Sequence, residues 1–169
     1  MKSVRLVSAK IEQSDLIKLM MQRYLGEFAK FTEVEVDKDG QFAYRYLDHY
    51  WQSSDRHPYL VFTLEHLAGF CLVRDDQDPV QGLKYKELAE LFIEKPYRRQ
   101  GMGEVVLNQL LNLHPGVWRI SVLKANQVGC AFWESVLKSV AGITKEHPSG
   151  TDPRNHKTRP EHVYWLKSD

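Results

Sequence analysis

The stretch Glu90-Leu-Phe-Ile-Glu-Lys-Pro-Tyr-Arg-Arg-Gln-Gly-Met-Gly-Glu104 constrains this chain more than any other. Its first residues read as a strand. Beyond Gly101, Val106, Leu107, Leu110, Leu111 and Leu113 recur at helical spacing. A strand that turns through glycines into a helix leaves the first N–H groups of that helix unpaired, at the positive end of its peptide dipoles. Such a turn is an anion site, and Arg98 and Arg99 add charge beside it. His114-Pro-Gly116 stops the helix and Val117–Leu123 reads as the next strand, so the unit implies a parallel crossover. Neither common nucleotide fingerprint fits. A Rossmann turn needs a small residue where Val106 stands, and a Walker loop needs Gly-Lys-Ser/Thr where Gly103 is followed by Glu104 and Val105.

The rest of the chain arranges itself around this unit. Residues 3–9 alternate as a first strand, and Ser14 is the expected N-cap of a helix carrying Leu16, Ile17, Met20, Met21, Tyr24, Leu25 and Phe28 on one face. Residues 33–41 form a polar connector. Asp37-x-Asp39-Gly40 resembles part of a calcium loop without its spacing or terminal Glu, so a turn is expected there. Phe42–Gln52 reads as a second helix dense in aromatics, ended by residues 53–58. Tyr59–Leu64 and Leu67–Val73 form a hairpin, an acidic loop spans 75–82, and Lys86–Glu94 completes a three-stranded antiparallel meander. After Leu123, Asn126 opens a helix through Val140. A short strand near Gly142–Glu146, a polar loop from His147 to Pro160 and a strand at His162–Leu166 follow.

Composition narrows the class. The 169 residues suit one domain, residues 1–169, with a substantial core. Lys plus Arg is 23 against 22 for Asp plus Glu, a formal charge of +1, which lacks the basic excess of a nucleic-acid surface. No apolar run approaches the ~20 residues of a membrane helix. The two cysteines, Cys71 and Cys130, sit in apolar patterns, so a reduced, cytoplasmic protein is expected. The seven histidines show no metal-binding spacing, and no metal is expected.

Phe92-Ile-Glu-Lys-Pro-Tyr-Arg-Arg-Gln-Gly-Met-Gly103 resembles the acetyl-CoA-binding motif of the GNAT superfamily of N-acetyltransferases. Val122-Leu-Lys-Ala-Asn-Gln-Val-Gly-Cys-Ala-Phe-Trp133 resembles that superfamily's second signature, and the order of elements also matches. The resemblance implies an α/β (α+β) fold with a mixed, splayed central sheet of about six or seven strands flanked by about four helices. It implies acetyl-CoA as co-substrate and acetyl transfer to a primary amine, of a small molecule or a peptide, by direct attack. Homodimers are common in families of this kind.

By the same resemblance, Leu91, Phe92 and Ile93 pair with the pantetheine arm. The backbone of Arg99, Gln100, Gly101, Met102, Gly103 and Glu104 holds the pyrophosphate, with Arg98 or Arg99 reaching the phosphates. Asn126 bonds the arm from the other side, and Trp133 packs against the coenzyme. Trp133 replaces the tyrosine that members often use as general acid, and its indole N–H cannot serve. Ser121 replaces a glutamate that some members use. Glu90 is therefore the first candidate base and Glu87 the second, with Tyr97 or Ser121 as possible proton sources. Tyr46, Tyr50, Trp51 and His57 are expected at the acceptor wall. Two alternatives accompany this reading: a coenzyme A-binding sensor without catalysis, and a transferase of a longer acyl group.

Overall fold

The protein is described by a computed structural model covering residues 3–64, 66–140, 143–146 and 160–168; the side chains of Ser139 and Glu146 lie outside the description. Within these residues a seven-stranded sheet carries four α-helices. In chain order they are β1 (Val4–Ser8), α1 (Ser14–Phe28), α2 (His49–Gln52), β2 (Arg56–Thr63), β3 (His66–Gln77) and β4 (Lys84–Ile93), then α3 (Met102–Leu113), β5 (Gly116–Leu123), α4 (Gln127–Val136), β6 (Thr144–Glu146) and β7 (Glu161–Ser168). The sheet order is β1-β2-β3-β4-β5-β7-β6, with β4–β5 parallel and every other pair antiparallel.

Strand alternation sends side chains to two separate cores. Leu60, Phe70, Leu72 and Phe92 face α1 and α2, where Ile17, Met20, Met21 and Leu25 meet them. Tyr59, Val61, Cys71, Val73 and Leu88 face the other way, onto Val106, Leu107 and Leu110 of α3 and Trp133 of α4. The outer edge of β1 is closed by a side chain: Gln109 of α3 accepts from Leu6 N–H at 3.0 Å and donates to Val4 C=O at 2.9 Å.

Two features of β4 position the site. Its register with β3 shifts between Leu72 and Val73, pairing Leu72 with Glu90 and Val73 with Leu88, so Ala89 is an extra, bulged residue. Its pairing with β5 covers only Lys86–Trp118, Glu87–Arg119 and Leu88–Ile120, after which the two strands separate.

Several expectations change. Phe42–Gln52 is helical only at His49–Gln52. Upstream, Gln22 of α1 captures the Phe42 backbone, accepting from its N–H at 2.9 Å and donating to its C=O at 2.8 Å. Val36 bridges Phe42 and Ala43 N–H reaches Glu35 C=O, so the start of this aromatic segment is extended, and turns at 45–48 lead into α2. Asp37 closes the intervening turn by accepting from Asp39 and Gln41 N–H. Residues 56–58 and 75–77 belong to strands rather than loops. A 3₁₀ turn at Ile11–Gln13 precedes α1, whose N-cap is Gln13 rather than Ser14. Asn126 caps α4, accepting from Gly129 N–H at 2.9 Å, and α4 ends at Val136. Of the expected 147–160 loop only Pro160 is described, and Gly142 of the expected short strand lies outside the described residues.

Candidate active site

Where β4 and β5 separate, peptide groups of β4 are left facing the gap. Glu94 N–H donates to Ala68 C=O, so alternation turns Phe92 toward β3, and turns Leu91 and Ile93 toward β5. Nε of Arg98 donates to the Ile93 carbonyl at 2.6 Å, leaving the Leu91 and Ile93 N–H groups to face the opening.

The chain then turns through a 3₁₀ segment at Lys95–Tyr97 and two left-handed residues, Arg99 at φ 58° and Gly101 at φ 74°. Glycine adopts that conformation freely, and at Gly101 it precedes the right-handed Met102, so successive N–H groups converge into an anion-binding concavity. The first bond inside α3 runs from Val105 N–H to Gly101 C=O, and no side chain caps the helix start. The N–H groups of Met102, Gly103 and Glu104 therefore have no acceptor within the helix. Gly103 is tight for a second reason. A Cβ there would lie 2.7 Å from Cε2 of Phe132 and closer still to its Cζ. Thus Phe132 of α4 meets the start of α3, while Trp133 is buried in the core behind it. These donors suit a pyrophosphate and an amide-rich arm, so the residues fit a coenzyme A moiety.

The two adjacent arginines diverge. Arg98 folds back onto the protein, with its guanidinium 3.0 Å from Glu27 of α1 and 5.4 Å from the Phe92 ring centroid. Arg99, displaced outward by its left-handed backbone, is exposed.

The bulge at Ala89 determines where the acids point. Plain alternation would put Glu87 and Glu90 on opposite faces; the extra residue brings both to the α1 face. Glu87, 3% exposed, sits between Arg74, whose Nε is 2.8 Å away, and Arg119 at 2.6 Å. Glu90 is half-buried at a cleft of about 270 Å³ that Tyr24, Phe28, Glu33, Tyr44 and Tyr46 also line. Tyr24 donates its hydroxyl to Glu90, and Tyr44 bonds the same carboxylate. Desolvation raises the Glu90 carboxyl to about 7; the two tyrosine hydrogen bonds oppose the rise, the nearby Glu87 charge adds to it and Arg74 reduces it. Both phenols are pushed well above the ordinary tyrosine value, first by burial and then by Glu90. Their protons therefore stay on oxygen and available to the carboxylate.

Of the expected acceptor wall only Tyr46 lines this cleft, 58% exposed. Tyr50 is buried, with the Arg56 guanidinium 5.6 Å from its ring centroid. Trp51 donates its indole N–H to Ala9 C=O at 2.9 Å, tying α2 to the end of β1. His57 shares the α3 face of β2 with Tyr59, its ring 4.7 Å from that of His114 and 3.3 Å from Asp75, so the sheet separates it from Glu90. Sequence spacing overlooked Tyr24, Tyr44 and Phe132 as site residues, because each also fits an apolar stripe or an aromatic cluster.

A mixed sheet that opens beside a glycine turn and an uncapped helix defines an acyl-coenzyme A-dependent transferase architecture. The chain belongs to the GNAT acetyltransferase family: the profile of the Acetyltransferase (GNAT) family matches residues 19–137. Solved structures agree in fold. Ribosomal-protein-S18-alanine N-acetyltransferase from Escherichia coli superposes with TM-score 0.62 at 13% identity, over 99% of this chain and 95% of that one. Spermidine N-acetyltransferase from Vibrio cholerae, in complex with CoA and spermine, gives 0.65 at 12% identity over 98% and 95%. A putative acetyltransferase from Salmonella typhimurium, with its cofactor acetyl-CoA, gives 0.67 at 13% over 98% and 94%. At these identities the likeness concerns the fold alone. No curated protein matches the sequence.

Proposed function

We propose that this acetyltransferase moves an acetyl group from acetyl-CoA to a primary amine, with Glu90 as the proton acceptor. The observation that carries the proposal is the Glu90 carboxylate, raised to about 7 in a cleft beside the strand opening. A base near neutrality is half ionised at working pH and can take, directly or through water, the proton that the amine nitrogen loses as it attacks the thioester carbon. Bound acetyl-CoA would supply the thioester carbon and a thiolate leaving group. The chain's own contribution is placement: Leu91 and Ile93 N–H groups align the pantetheine, and the α3 start with Arg99 holds the pyrophosphate. Asn126, its oxygen occupied by the α4 cap, has its amide N–H₂ to offer from the start of α4, beyond the end of β5. Glu87, ion-paired with Arg74 of β3 and Arg119 of β5, ties the three strands up to the opening, and its carboxylate charge adds to the rise at Glu90.

Direct attack is supported by the cysteines. Cys71 and Cys130 are both buried, and burial pushes both thiols above their ordinary range, Cys71 far above it. Neither supplies the thiolate that an acyl-enzyme would need. Thiol release from acetyl-CoA in the presence of primary amines tests the whole reading. Tight coenzyme binding without release to any amine would instead favour the sensor alternative.

Two further outcomes follow from the geometry. Tyr24→Phe removes a hydrogen bond that holds the Glu90 pKa down, so the rising limb of kcat/KM against pH moves upward by about one unit. An unmoved limb would separate Glu90 from the proton transfer. Arg98→Met removes a charged clamp between β4 and α1, costing roughly 1.5–3 kcal/mol in a urea melt. Arg99→Ala leaves the melt unchanged, weakens acetyl-CoA by about threefold to tenfold and flattens its salt dependence. Equal stability losses in the two variants would refute the division of labour.

A further inference from the structure

The cleft at Glu90 has a charge and wall composition that select among amines. Resting on the acetyltransfer proposed above, we infer that the acceptor lacks a carboxylate and carries a second cationic group on an apolar spacer, received at Glu33. Three carboxylates, Glu33, Glu35 and Glu90, line the cleft against one guanidinium, Arg45. That guanidinium is committed: it donates to both oxygens of Glu35, at 2.8 and 2.9 Å. The arginines nearby are committed too, Arg23 to Glu94 and Arg98 to Glu27. An acceptor with a carboxylate beside its amine therefore meets no uncommitted cation in the lining, and faces net negative charge.

Glu33 differs from the other two acids. It stands exposed at the cleft and has no ion pair among the described residues. Between Glu33 and Glu90 the walls are the rings of Tyr24, Phe28, Tyr44 and Tyr46, with Tyr24 and Phe28 centroids 5.6 Å apart. Aromatic faces suit both an alkyl spacer and a cation. The cleft's roughly 270 Å³ corresponds to about nine waters, which a short linear diamine would displace. One nitrogen would lie at Glu90, lose its proton and attack; the other would stay protonated near Glu33.

Three acceptors isolate the two features: cadaverine; n-hexylamine, of the same length without the second charge; and lysine, which is cadaverine with an α-carboxylate. Thiol release at fixed acetyl-CoA should give kcat/KM in the order cadaverine, n-hexylamine, lysine. Glu33→Gln should reduce the cadaverine to n-hexylamine ratio about threefold, the size expected of an exposed ion pair, and act through KM. Lysine equalling cadaverine, or an unchanged ratio in Glu33→Gln, overturns the inference. If none of the three releases thiol while calorimetry shows intact acetyl-CoA binding, the amine-transfer reading fails and this inference with it.

Discussion

In Glu90→Gln, turnover falls by about 10²- to 10³-fold, acetyl-CoA affinity stays within about twofold, and the folded protein gains stability above neutral pH. The kinetic part follows from position. The substituted amide keeps an oxygen for the Tyr24 and Tyr44 hydroxyls, so the cleft holds its shape, but it cannot accept a proton. The stability part follows from linkage. Glu90 titrates near 4.5 when solvated and at about 7 in the fold. Between those values the folded chain holds a proton that the unfolded chain has released, so stability falls as pH rises through the window and remains lower above it. The full displacement corresponds to about 3–4 kcal/mol, of which about 2–3 kcal/mol is lost between about pH 5 and about pH 8. Urea melts at about pH 5 and about pH 8 should therefore diverge between wild type and Glu90→Gln, with the variant losing less. Parallel pH dependences would mean that the carboxylate is not desolvated, and its candidacy as a base at neutrality would fall with that result.

What the sequence disclosed and what it concealed divide along physical lines. Apolar periodicity made α1, α3 and the meander legible, because each buries one regular face. The turn at 98–103 was legible because two glycines and two arginines ahead of a helical stripe leave few other readings. The bulge at Ala89 was not, since nothing in Leu-Ala-Glu marks an extra residue; the register with β3 creates it. That bulge puts Glu87 and Glu90 on one face, where alternation alone separates them. Phe42–Gln52 reads as a helix for its density of aromatics, yet Phe42, Tyr44 and Tyr46 alternate, and Gln22, twenty residues earlier, holds the Phe42 backbone extended. That tertiary contact, with the Val36–Phe42 bridge and the Ala43–Glu35 hydrogen bond, brings Tyr44 to Glu90. Arg98 and Arg99 look equivalent in the sequence, and a single left-handed residue turns one inward and the other outward. Tyr24 was concealed differently: it belongs to the α1 stripe as expected, and its function lies in the one polar atom at the end of that apolar ring.

Gly103→Asp weakens acetyl-CoA binding by about 10³-fold. At a separation of about 4 Å and an effective dielectric near 20, two like charges repel by about 4 kcal/mol. The structure adds a second mechanism. Any Cβ at position 103 collides with the Phe132 ring, so Gly103→Ala, neutral and otherwise a better helix former, should lose about 1–3 kcal/mol of stability through overpacking, less about 1 kcal/mol of helix propensity. Pairing each substitution with Phe132→Ala separates the two causes. With the ring gone, the alanine methyl fits, and Gly103→Ala costs about 1–3 kcal/mol less than in the presence of Phe132. The aspartate side chain then fits as well, but its negative charge still stands in the first turn of α3, beside the N–H groups proposed to hold the pyrophosphate. Calorimetry should therefore find acetyl-CoA binding about 10³-fold weaker in Gly103→Asp/Phe132→Ala than in Gly103→Ala/Phe132→Ala. Equal affinities in the two double variants would mean that Gly103 serves only the packing of α3 on α4, and the pyrophosphate would have to lie elsewhere.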